Sequence, residues 1–167
     1  LLAGDAESLP FVDGSFDAVV CRGALHHIPS ISKALSEIFR VLKPGGYLLA
    51  CETCDDGLIS RLIRNSYLRA YTKFSDKIEY DHPSLRSQEF LPTVEESGLE
   101  INLLLRYGYM AYPLASMPEH MPIMKFIPFN VLLTRALIKI DKLLAKVPLI
   151  RSQAWAITVL ARKPAKV

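Results

Sequence analysis

Residues 16–52 constrain the fold more than any other stretch of the chain. Phe16-Asp17-Ala18-Val19-Val20-Cys21 is a short, β-branched apolar run after the turn signal Asp13-Gly14-Ser15. It reads as a strand buried on both faces. After Pro29, Ser30 can cap a helix, and Ile31, Ala34, Leu35, Ile38, Phe39 and Leu42 then recur at helical spacing. This predicts an amphipathic helix with one stripe facing the core. The pattern stops at the turn Lys43-Pro44-Gly45-Gly46, and Tyr47-Leu48-Leu49-Ala50-Cys51-Glu52 reads as a second buried strand. Strand, helix, strand within about 35 residues is a βαβ unit, which calls for a parallel sheet and a right-handed crossover.

Downstream, Leu58 to Tyr71 has helical spacing and is broken at Asp81-His82-Pro83. Ser87 to Gly98 reads as a further helix closed by Gly98, its start delayed or its axis bent by Pro92. Ile101 to Leu105 reads as a third strand, Phe129 to Val147 as a helix, and Ala154 to Leu160 as a last strand. Between Tyr112 and Pro128, Pro113, Pro118, Pro122 and Pro128 punctuate an irregular segment that reads as a mobile flap. One domain is expected for 167 residues. Within it, residues 1–52 carry the core motifs, 53–99 a helical cap and a helix, and 100–167 the last two strands with the flap and a basic helix between them.

The ordered series "GDAESLPFVDGSFDAVVC", "LHHI" and "ALSEIFRVLKPGGYLLACE" resembles the middle portion of class I S-adenosylmethionine-dependent methyltransferases of the small-molecule type. The resemblance implies an α/β Rossmann-like sheet, mostly parallel with an antiparallel last strand, in the family's order 3-2-1-4-5-7-6. It implies S-adenosyl-L-methionine as cofactor and methyl transfer to a small-molecule or lipid-like acceptor. Ligands of such sheets sit at the carboxyl ends of the strands.

Carried onto this sequence, the resemblance makes Asp5 the acceptor for the adenine amino group and puts the Ala6 backbone beside the ring. The alternative for Asp5 is that it only caps its own turn, and the adenine role is preferred. Cys21 and Arg22 leave the family's fourth strand where cofactor and acceptor contacts are made, although a lone cysteine is often simply buried. His26 and His27 follow in the loop. His26 is the candidate base for an acceptor hydroxyl, since imidazole titrates near neutrality. Glu52 either faces the acceptor or is a solvated strand-end carboxylate. Asp17, at the opposite end of its strand, is structural. No triad is required, because the sulfonium is already activated and the protein's work is alignment and exclusion of water.

The family's glycine-rich G-x-G loop and its acidic ribose ligand would belong to two strands upstream of Leu1, and no two of the eight glycines here are spaced as G-x-G. The sheet is therefore expected to be incomplete, its first two strands absent, with the fourth strand's edge and apolar faces exposed. The chain reads as the carboxyl-terminal part of a longer methyltransferase, with weak or no cofactor binding on its own.

Cys51-x-x-Cys54 with Cys21 and His26 or His27 could converge as zinc ligands, but no second C-x-x-C exists and no metal is expected. Three cysteines in 167 residues favour a reducing cytoplasm over a disulfide framework. No apolar run approaches the roughly 20 residues of a membrane span. Net charge is uneven, −4 over residues 1–109 and +7 over residues 110–167. Arg135, Lys139, Lys142 and Lys146 form a basic stripe beside a broad apolar face. Such a helix either packs on the sheet with its lysines in water or lies on an anionic membrane surface as a peripheral contact. Nucleic acid is not expected, because the stripe lacks interleaved aromatics.

Overall fold

The computed structural model describes residues 3–58, 61–62, 85–111 and 130–165. In chain order they form β1 (Phe16–Arg22), a 3-10 turn (Leu25–His27), α1 (Ile31–Val41), β2 (Leu42–Thr53), α2 (Ser87–Glu96), β3 (Glu100–Tyr107), α3 (Asn130–Leu144), α4 (Pro148–Arg151) and β4 (Ala156–Arg162). The strands make one sheet in the order β1-β2-β4-β3. This is the 4-5-7-6 half of the order expected from the sequence. β1 and β2 are parallel, with Ala18 opposite Tyr47 and Cys21 opposite Ala50. β4 runs the other way: Lys163 pairs with Gly45 and Gly46 through backbone bonds of 2.9 Å, while Thr158, earlier on β4, meets Cys51, later on β2.

α1 forms where the periodicity places it. Ser30 accepts the Lys33 N–H at 3.4 Å as its cap, and Ala34, Leu35, Ile38 and Val41 are buried. Lys43 to Gly46, expected to separate helix from strand, lies inside β2 as a bulge, since the register steps from Phe16↔Leu42 to Ala18↔Tyr47. Gly45 holds φ +81°, and a Cβ on Gly46 would stand 2.9 Å from the Lys43 carbonyl oxygen. Only glycines permit so tight an excursion beside a parallel partner. The Lys163 ammonium donates to the carbonyls of Phe39 and Leu42 at 2.7 and 2.8 Å, placing a cation on the helix C-terminus, where the backbone dipole favours one.

β1 departs from the sequence reading. It is not buried on both faces: Val20 is 67% exposed, because β1 is an edge strand of the described sheet. α2 starts at Ser87 and continues through Pro92 without delay. It ends at Glu96, and just beyond it Gly98 turns the chain with φ +91° and donates its N–H to the Glu95 carbonyl. The predicted helix at 58–71 and the flap at 112–128 lie largely outside the described residues.

Contacts divide the chain into two compact units. One comprises Leu1–Thr53, His82–Leu105 and Ile157–Val167; the other comprises Cys54–Asp81 and Arg106–Ala156. In the second unit the Asp141 carboxylate is buried and accepts the N–H groups of Met110 and Ala111 at 2.7 and 3.2 Å. α3 ends at Leu144, so Lys146 leaves the predicted helical stripe and stands in the turn beyond it. Arg135, Lys139 and Lys142 remain on the helix and exposed.

Candidate functional site

β1 ends at Arg22, which is exposed, with Cys21 half-buried behind it. Gly23 turns the chain at φ +57° and donates its N–H to the Cys51 carbonyl at 2.8 Å. The short 3-10 turn that follows is organised by one side chain from the neighbouring strand. Glu52 is only 2% exposed. Its Oε1 accepts the N–H groups of Ala24 and Leu25, each at 3.1 Å, and its Oε2 stands 2.6 Å from Nδ1 of His26. Burial raises the Glu52 pKa, but the hydrogen bonds from His26, Leu25 and Ala24 outweigh it and hold the carboxyl below its ordinary value. Glu52 is therefore an ionised group inside the protein, not the solvated strand-end carboxylate the sequence allowed. An acid closing an apolar strand was the available signal, and nothing in the spacing specified its partners.

His26 also lines a cleft of about 410 Å³, with Ile28 and Ile31 on one side and Leu85, Arg86 and Phe90 on the other. The cleft lies between the turn leading into α1 and the first turns of α2. Its wall is chiefly apolar; Arg86 reaches Glu89 at 3.6 Å.

The Asp5 loop is fastened to α1 by a second carboxylate set. Glu7 accepts the Ser30 N–H at 2.8 Å, which ties the loop to the cap directly after the His26 turn. Glu37 accepts the Leu9 N–H at 2.8 Å. Arg40 grips Glu37 through two nitrogens at 2.8 Å and also donates to the carbonyls of Phe11 and Leu9 and to Asp13. Sequence reasoning missed Glu7, Glu37 and Arg40 as fasteners. Asp5 itself is exposed, and its Oδ1 accepts the Glu7 N–H at 2.9 Å, so the turn-capping role is real. Its other carboxylate oxygen has no partner among the described residues.

Two of the thiols are chemically quiet. Burial, with the Glu52 charge adding to it, pushes Cys21 up to about 11. Burial likewise takes Cys54 up to about 12. Among the described residues, no group of three or more His, Cys, Asp and Glu side chains is placed to hold a metal.

The sequence profile described as "Methyltransferase domain" matches residues 1–50. Over these residues the chain is similar to class I S-adenosylmethionine-dependent methyltransferases. The ubiquinone/menaquinone biosynthesis C-methyltransferase UbiE of Brucella canis is 34% identical over 109 residues, covering 58% of this chain and 40% of that protein. The phthiotriol/phenolphthiotriol dimycocerosates methyltransferase 1 of Mycobacterium ulcerans is 59% identical over 46 residues, 28% of this chain and 17% of that one. A methyltransferase structure from Methanosarcina mazei superposes with a TM-score of 0.59 at 19% identity, over 98% of this chain and 66% of that one; it shows the fold. The chain spans less than half the length of the curated relatives it matches.

The family's cofactor is S-adenosyl-L-methionine, and the residues present fit its adenine end. An exposed, turn-held carboxylate with one oxygen unpaired among the described residues, as at Asp5, suits an exocyclic amino donor. Cys21 and Arg22 stand at the end of β1, on the side where ligands of such sheets bind.

Proposed function

We propose that this chain serves methyl transfer from S-adenosyl-L-methionine to a small-molecule or lipid-like acceptor, with His26 as the base on the acceptor side. The observation that carries this reading is the placement of His26. A buried carboxylate anchors it at one nitrogen, and an apolar cleft lies beside it. The names of two relatives, one a quinone-pathway C-methyltransferase and one a dimycocerosate methyltransferase, support an apolar acceptor body.

The bound cofactor supplies an electrophilic methyl on a sulfonium; the chain's own residues arrange what meets it. Asp5 and the Ala6 backbone hold the adenine, and Cys21 and Arg22 flank the cofactor at the end of β1. The cleft wall excludes water and orients the acceptor, which is where most of the rate gain in a direct displacement arises. His26 takes the acceptor's hydroxyl proton as the nucleophilic atom engages the methyl carbon.

The test is calorimetric titration of S-adenosylhomocysteine into the 167-residue chain and into a version extended upstream through a glycine-rich loop. The expected outcome is binding by the extended chain and its loss on Asp5→Ala, with weak or no binding by the short one. No binding by either chain would sink the reading.

A second reading concerns α3. Its only acid, Asp141, is turned inward, so Arg135, Lys139 and Lys142 give the exposed surface a purely cationic polar face. Leu132 and Leu143 are also exposed, at 67% and 64%. This supports peripheral contact with an anionic lipid surface. No described helix is long and apolar enough to cross a membrane. In sedimentation with phosphatidylserine vesicles, the chain should pellet and the Lys139→Glu/Lys142→Glu variant should not; equal pelleting of both would remove this reading.

A further inference from the structure

We propose that Glu52 is a positioning residue: it fixes the tautomer of His26 so that Nε2 carries the lone pair that accepts a proton from an acidic hydroxyl, phenolic or enolic, on an acceptor lodged in the adjoining cleft. The proposal rests on the reading of His26 given above and narrows its substrate class.

The hydrogen-bond inventory forces the tautomer. Both N–H groups on Oε1, from Ala24 and Leu25, are backbone donors that cannot reverse. An ionised carboxylate offers acceptors only. The 2.6 Å contact between Oε2 and Nδ1 therefore requires the proton to sit on Nδ1, as a charge-assisted donor. A neutral imidazole has one ring proton, so Nε2 is left as the basic nitrogen. Both partners are held in place: the Glu52 side chain is fully buried, and that of His26 is 14% exposed. The His27 ring, tilted by 39°, also lies 4.0 Å away between centroids and limits rotation of the His26 ring.

The acceptor class follows from the base. Neutral imidazole deprotonates efficiently only groups whose acidity approaches its own, which favours phenols and enols over alkanols. A flat or apolar skeleton carrying that hydroxyl suits walls built from Ile28, Ile31, Leu85 and Phe90. Balance is simple: the hydroxyl proton moves to Nε2, the imidazolium is stabilised by the Glu52 carboxylate, and the methyl carbon exchanges its bond to sulfur for one to the acceptor.

Glu52→Gln separates positioning from mere structure. The glutamine carbonyl can keep accepting from Ala24 and Leu25, which preserves the turn, but its amide nitrogen can only donate toward Nδ1. The ring proton must then move to Nε2, and the base is lost with the backbone unchanged.

The experiment is long-range nitrogen-15 correlation spectroscopy of His26 near pH 8. Native chain should show protonated Nδ1 and bare Nε2, and Glu52→Gln should show the reverse. Protonated Nε2 in the native chain, or an unchanged tautomer in Glu52→Gln, overturns the proposal. If the variant fails to fold, the native spectrum alone still decides. In a second arm, 1-naphthol should shift the His26, Ile31 and Phe90 signals, whereas naphthalene should leave Nε2 untouched; equal effects on Nε2 would overturn the hydroxyl assignment. Neither arm uses the cofactor, so failure to bind S-adenosylhomocysteine sinks the methyl-transfer reading independently of the tautomer.

Discussion

At the scale of single residues, burial decides which polar groups are chemically available. Cys21 and Cys54 are thiols pushed up to about 11 and about 12 by desolvation, so at neutral pH almost none of either is thiolate, the reactive form. A disulfide-exchange reagent at about pH 8 should therefore label both far more slowly in the native chain than after unfolding in guanidinium. Native-state labelling of Cys21 as fast as in the unfolded chain would show that β1 does not protect it. Glu52 is the opposite case, an acid taken out of water and kept charged because three donors converge on it. The sequence marked His26 as a candidate and could not mark its partner. Twenty-six residues separate the two, and their meeting depends on the register of adjacent strands.

At the scale of elements, α1 is the hub. Its apolar stripe, cap and stop were legible from spacing, because periodicity of 3.6 and a serine cap are local properties. The fastening of the Asp5 loop to its exposed side was not. Arg40 and Glu37 contact backbone groups of a segment with no secondary structure to predict. Hydrogen bonds from Arg40, then the Leu9 N–H, hold Glu37 down at about 2, against an ordinary 4.5. The folded value is lower than the unfolded one. The pair's contribution to stability is therefore full above the unfolded value and is lost as pH falls toward the folded value. In urea unfolding, Arg40→Met should be less stable than the native chain at neutral pH. The gap should narrow as pH drops from about 5 to about 2. A gap constant across that range would mean that the carboxylate plays no part.

At the scale of the molecule, the strand order β1-β2-β4-β3 follows the second half of the methyltransferase sheet. A run of β-branched residues does not say whether a strand will be central or lie at an edge. That depends on which neighbours the chain supplies, and this is why β1 read as doubly buried and Val20 is nevertheless open. The bulge at Lys43 to Gly46 was misread for a related reason. Pro-Gly-Gly signals a turn, and whether the turn interrupts a strand or rides within it depends on the partner across the sheet.

The Lys163 clasp bears on how the chain reaches this state. The ammonium that closes the end of α1 comes from a residue 124 positions beyond Phe39 and 121 beyond Leu42. Long sequence separation slows two-state folding. During synthesis the first βαβ unit emerges before the residue that closes its helix end, and that contact forms only once Lys163 has followed.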